Sequence, residues 1–518
     1  MKLRTICISM LVIAALTSCN NDDEDHRGGS PQIADANVAY LSIKIATQAQ
    51  TRASVENQGQ NESDLNSLYL ITFDDDNKIV GGPGTTSYFT KVDPNSVSPA
   101  KPGAVKVSAD ATRLLVVANP GTKLESAINN ISVTSTFNSI NTAIMQAAKD
   151  EVSDATKGFA MINSGDENKV SNGKLTDLLI DISDKIVKAS ASTSEAEAEA
   201  EAEKDANRVL INIERLAAKL ELKVNISSIK PAGADFKFEG WAVDGVNSTF
   251  YPCAEKTMLD NTHTGSIYGK TFYTHDPNFQ DGTGVEFATL DTDFSLILPQ
   301  SNIWQGDGAL AYCIENTMDA EKQVYGNATR ILIKGTYYPA GHTTQTGDWF
   351  NFAGHNYMNF GELKTAYDQA AADSDLKKAC DDMVTQINTN INLTIASFND
   401  LTETILNNIS NGGEVIKNGD KNVIRWYQNG QYYYYYMIRH NNDISEEIEF
   451  GKYGVVCNNW YSLTLGSVNG PGTPWYPDPN NPGPGDPGKE EPIDEAAGYL
   501  DITVSTAPWI VWENTIGI

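Results

Sequence analysis

Cysteine is scarce in this 518-residue chain: there are six, and two of them, Cys7 and Cys19, fall within the first nineteen residues. The other four, Cys253, Cys313, Cys380 and Cys457, are far apart and form no CxxC pair, which argues against a structural zinc site. Spacing alone leaves both disulfides and buried free thiols open for these four. Histidine is equally sparse, with six residues at positions 26, 263, 275, 342, 355 and 440 and no metal-ligand spacing among them. No HExxH, GxSxG or phosphate-binding loop occurs, so zinc proteolysis, a hydrolase triad and nucleotide hydrolysis have no support; no catalytic residue, metal or cofactor is expected. Positive charge is in short supply too, at 38 Lys and Arg against 67 Asp and Glu. The resulting formal charge of −29 repels nucleic acid and anionic membrane surfaces.

Long hydrophobic runs are also missing, with one short exception. Lys2 and Arg4 precede an apolar stretch from Ile6 to Leu16, too short to span a bilayer but suited to a secretory signal over residues 1–18. It ends in Leu16-Thr17-Ser18-Cys19, the pattern at which bacterial lipoproteins are acylated and cut. Cys19 is therefore the expected lipidation site and mature N-terminus, holding the precursor at the outer membrane. An acidic tether, Asn20 to Asp25, follows.

What the chain does contain is period-two alternation, broken by Gly, Asn, Asp and Pro. Leu68 to Phe73, Arg113 to Ala118 and Arg330 to Tyr338 read as strands of β-sandwiches. Arg208 to Ile226 alternates with a change of phase at Glu214 and Arg215, which predicts a bulge or bend between two strand halves. Helices are expected at about 136–151 and 363–391. Asp74-Asp75-Asp76-Asn77 lacks the spaced ligands of a calcium loop and reads as a hairpin turn. The Glu-Ala run from Glu195 to Glu203 reads as a solvated loop or frayed helix with no assigned role. Tyr432 to Tyr436, with Trp426 and Tyr427, raises glycan binding as an alternative; a strand with one buried and one decorated face is the plainer reading.

The two ends carry the functional signal. Residues 470–498 form a Pro/Gly-rich spacer, with seven of the chain's twenty prolines between Gly470 and Gly488; such composition makes a semi-rigid leash. Beyond it, in residues 499–518, Leu500, Ile502, Val504, Pro508, Ile510 and Trp512 share one parity, and Trp509 departs from the alternation. A strand of this kind needs a sheet edge. The pattern alone allows it to close its own sandwich; the stiff spacer favours addition to another molecule. Near the other end, Leu41, Ile43 and Ile45 lie on one face of a short strand, followed by Arg52-Ala53 in a polar stretch where a protease can cut.

In order and spacing these features resemble the Bacteroidota type V fimbrial subunits, most closely the Mfa-type fimbrillins. The matching stretches are Leu16 to Cys19, Thr51-Arg52-Ala53, Val209 to Lys219, Gly454 to Tyr461, the spacer, and Val504 to Trp509. The resemblance implies an all-β protein with minor helical insertions: two tandem transthyretin-like Greek-key sandwiches, at 53–229 and 230–469, and an extended C-terminal strand. It implies that an arginine-directed maturing protease removes a leader, residues 19–52, and so opens a groove. The C-terminal donor strand of a neighbouring copy then fills that groove. A head-to-tail fimbrial shaft follows, with anchor and tip subunits as further partners and adhesion and biofilm formation as its use. The family often has Arg where Cys457 stands, so a contact based on that Arg is in doubt here. The reading from a different class is a monomeric surface lipoprotein that binds glycans.

Overall fold

Alternation alone does not bury a strand on both faces; that takes continuous apolar runs, and two such runs form the middle of the first sheet. The computed structural model describes residues 37–46, 62, 64–81, 88–93, 103–132, 134–142, 144–145, 152–154, 158–163, 165, 169–247, 249–259, 272–277, 279, 304–324, 327–409, 423–441, 448–474 and 500–508. Strands β1 (Val38–Ala46), β2 (Leu68–Phe73), β3 (Ala104–Ser108), β4 (Arg113–Ala118), β5 (Met161–Asn163), β6 (Val187–Lys188) and β7 (Val209–Arg215) build the first sandwich. Their order is β6-β1-β7-β5-β4-β2, closed by Thr90–Val92, with β3 also paired to β1. Every residue of β2 is buried, as are five of the six in β4. Between β2 and Ile79 the acidic run forms the expected turn: the Asp74 carboxylate accepts from the Asp76 and Lys78 amides at 3.0 and 2.9 Å. Asn77 takes the left-handed conformation there, which Asn tolerates.

The second sandwich uses β8 (Ala218–Ile229), β9 (Asp235–Asp244), β10 (Leu310–Cys313), β11 (Arg330–Tyr338), β12 (Gln431–Met437), β13 (Asn459–Val468) and β14 (Leu500–Pro508). One layer runs β10-β8-β13-β14 and the other β9-β11-β12. Their inward faces meet in a core that includes Leu220, Leu222, Trp241, Ile333, Tyr432 and Leu463. The phase change near Arg215 is a change of sheet rather than a bulge in one strand. The Leu216 amide still donates to Ala160 in the first sandwich at 3.0 Å, while the Ala217 carbonyl accepts from Asn458 of the second at 2.7 Å.

Helices are few. Among them, α1 (Thr122–Asn129) and α2 (Glu195–Ala202) belong to the first sandwich. A helical lobe between β11 and β12 contains α3 (Phe360–Gln369) and α4 (Asp375–Ile391), packed on a core of its own around Phe350, Met383, Phe398 and Trp426. The single helix expected over 363–391 is thus two, because the Ser374 hydroxyl accepts from the Lys377 amide and starts a new one. Over 136–151 only Phe137–Ile140 is helical among the described residues; Ile144 and Met145 pair instead with Phe250 and Thr249. Among the described residues no helix is long and apolar enough to cross a membrane.

Candidate functional site

Strand β1 lies at the seam of the first sandwich. Its first half pairs antiparallel with β3, from Val38 opposite Ser108 to Ser42 opposite Ala104. Its second half pairs parallel with β7, from Ile43 opposite Val209 to Ala46 opposite Asn212. The leader residues named from sequence enter the core: Leu41 is 0% exposed, Ile43 1% and Ile45 4%. Together with Val38 they contribute roughly 6–12 kcal/mol of burial, comparable to the whole stability of a typical domain, about 5–15 kcal/mol. Taking β1 away without a replacement therefore leaves a groove that the sandwich cannot tolerate.

The tail strand occupies a different kind of position. β14 runs antiparallel to β13, with Leu500 opposite Val468, Ile502 opposite Leu465, Val504 opposite Leu463 and Pro508 opposite Asn459. It is the edge of its layer, held by one neighbouring strand, and Ile502 packs half-buried against the second core. The expectation that the spacer holds this strand away from its own body is corrected for the intact chain. An extended segment takes the nearest open edge for its backbone groups, and β13 offers one. Cys19, Arg52, Ala53, Trp509, Ile510 and Trp512 lie outside the described residues.

Two buried polar clusters tie the sandwiches together, and no motif in the sequence marks either. In the first, the Glu62 carboxylate accepts from Tyr312 at 2.7 Å and pairs with Lys219 at 3.0 Å. The Glu62 carbonyl accepts from Arg215 Nε at 2.7 Å, and the Arg215 amide donates to Asn458. Arg215 is wholly buried, and desolvation pushes its guanidinium down to about 10. The second cluster lines a small cavity where Glu214 pairs with Lys256 beside Glu315 and Cys457. Burial raises Glu315 to about 7, chiefly because a charge there has lost its water. Cys457 faces this carboxyl, so no arginine contact exists at that position.

Cys253, Cys313, Cys380 and Cys457 are all free and buried, and burial raises every thiol, Cys313 and Cys380 to about 12. Such thiols are poor nucleophiles. The tyrosine run is mostly enclosed: Tyr432, Tyr433, Tyr434 and Tyr436 are buried and Tyr435 is half-buried. On the expected decorated face Thr473 pairs with Tyr433, at 2.8 and 2.9 Å, and covers that residue.

Sequence families of fimbrial subunits cover both the buried seam strand near the N-terminus and the edge strand near the C-terminus. The chain is a fimbrial subunit of the Bacteroidota Mfa/Fim type. Residues 39–180 match the sequence profile of the major fimbrial subunit protein FimA, and residues 425–515 that of the type IV major fimbrial subunit, fimbrillin, C-terminal region. The first match begins within β1 and the second carries β12, β13 and β14. Similar solved structures include a fimbrillin, FimA, from Porphyromonas gingivalis, 14% identical, covering 92% of this chain and 98% of that one, TM-score 0.39. The tip fimbrial protein Mfa3 of the same organism is 10% identical, covering 91% of this chain and 100% of that one, TM-score 0.33. A candidate cell adhesion protein from Parabacteroides distasonis is 14% identical, covering 93% and 100%, TM-score 0.39. No curated protein matches. As a fimbrial subunit, the chain is a structural protein that assembles with other subunits in a cell-surface fimbrium.

Proposed function

We propose that the chain is a shaft subunit, exported as a lipoprotein through Cys19, matured by cleavage between Arg52 and Ala53, and polymerised by donor-strand exchange. In this reading β14 of one copy replaces β1 of the next. The observation that supports it most is the pairing of lengths and patterns. β1 and β14 are each nine residues long, and each places apolar residues at alternate positions, with Thr506 the one exception in β14. One pairs with several strands and is buried in its sandwich, and the other is an edge strand whose departure breaks a single ladder. A head-to-tail contact between copies does not close on itself and so gives a fibre. The fimbrium so built supports adhesion and biofilm formation.

Trypsin treatment of the purified precursor tests this. Ladders on unboiled denaturing gels are expected, starting only after cleavage and absent when residues 499–518 are deleted. A cleaved protein that stays monomeric at high concentration sinks the proposal, as does N-terminal sequencing of surface fimbriae that begins elsewhere than Ala53.

A further inference from the structure

The Glu-Ala run, which composition marks as a featureless solvated segment, is a formed helix lying on the leader strand. Ser194 caps α2: its hydroxyl accepts from the Glu197 amide at 3.3 Å, and the Glu197 carboxylate accepts from the Ser194 amide at 2.9 Å. Ala198 and Ala202, four residues apart and so on one helical face, are both fully buried. They pack with Val38, Tyr40 and Ala189, on the side of β1 opposite the sandwich core. Alanines permit a close approach of helix to strand. At the helix start, the Tyr40 hydroxyl donates to Glu195 at 2.8 Å, and Lys106 of β3 pairs with the same carboxylate at 3.0 Å. At the helix end, the Glu203 side chain accepts from the Ala104 amide at 3.3 Å. The helix thus grips both β1 and its neighbour β3.

We propose that α2 is a clasp selective for the leader strand, so that leader and donor are distinguished on their outer faces rather than their core faces. The inference rests on the donor-strand reading above. The apolar parities of the two sequences are alike, with Leu41, Ile43 and Ile45 in one and Leu500, Ile502 and Val504 in the other. The opposite parities differ: Val38 and Tyr40 in the leader, Asp501, Thr503 and Ser505 in the donor. A donor seated with its apolar parity inward offers α2 no aromatic ring. It brings Asp501 toward a helix carrying Glu195, Glu197, Glu199 and Glu201, and like charges repel. The clasp therefore holds the cut leader in place and does not hold its replacement.

The test is leader retention in protein cut after Arg52 with trypsin, followed by mass spectrometry of the leader fragment that leaves the body in mild urea. Tyr40→Phe and Glu195→Ala are each expected to speed release about three- to tenfold, the range given by one net hydrogen bond. Ala198→Asp should speed it further, and Glu199→Ala, on the exposed side of the helix, should match the unaltered chain. Release rates of Tyr40→Phe and Glu195→Ala equal to that of Glu199→Ala overturn the clasp. Adding a peptide of residues 499–518 separates the two ideas: failure of every variant to take it up counts against donor exchange, while the release rates still decide the clasp.

Discussion

Glu315 shows how a single side chain makes this protein sensitive to pH. Its carboxyl sits in the cavity with Glu214, Lys256 and Cys457 and is held near 7 against an ordinary 4.5. Below pH 4.5 the group carries its proton in both folded and unfolded chains and contributes nothing. Between 4.5 and 7 the unfolded chain releases the proton while the folded chain retains it, so stability falls as pH rises, by up to about 3 kcal/mol above pH 7. Glu315→Gln keeps the shape and removes the titration. Melting followed from pH 5 to 8 should show the variant gaining on the unaltered protein as pH rises; parallel curves would mean that Glu315 ionises normally. Nothing in the sequence flags this residue, because its neighbours come from β7, from the Lys256 strand and from the Cys457 turn, which are remote along the chain.

At the level of elements, β1 and β14 divide the work of a strand site between one that cannot be spared and one that can. A precursor lacking residues 19–52 should therefore express as aggregate, since its first sandwich loses roughly 6–12 kcal/mol of burial. Supplying the peptide 499–518 during refolding should return soluble protein, read by gel filtration. Solubility without peptide would show that the groove collapses harmlessly. Both strands were legible in the sequence, because alternation of apolar and polar residues survives whatever a strand pairs with. Where the tail strand docks was not, since the pattern records a face and not a partner. Of the two readings of the Glu-Ala run, loop or frayed helix, the helix forms, and Ser194 followed by Glu197 is the local signal that caps it.

For the whole molecule, the cluster around Glu62 matters most, since it joins the start of the body to both sandwiches through Arg215, Lys219 and Tyr312. Glu62→Ala removes the carboxylate that pairs with buried Lys219 and lies near buried Arg215, and should cost about 3–5 kcal/mol. Calorimetry is expected to show one melting transition for the unaltered chain and two for the variant as the sandwiches uncouple; the same number of transitions in both would place the coupling elsewhere. The fold class could be read from the spacing of strands and turns, but not this joint, whose parts are contributed by residues 62, 215, 219, 312 and 458. The seam made by β1 has one more consequence. Its antiparallel ladder to β3 and its parallel ladder to β7 together dictate which way an incoming ribbon must point to reuse the same amides and carbonyls. A fibre assembled through that slot is directional, with one end always offering an empty berth and the other a spare strand, so growth and capping are chemically distinct events at opposite ends.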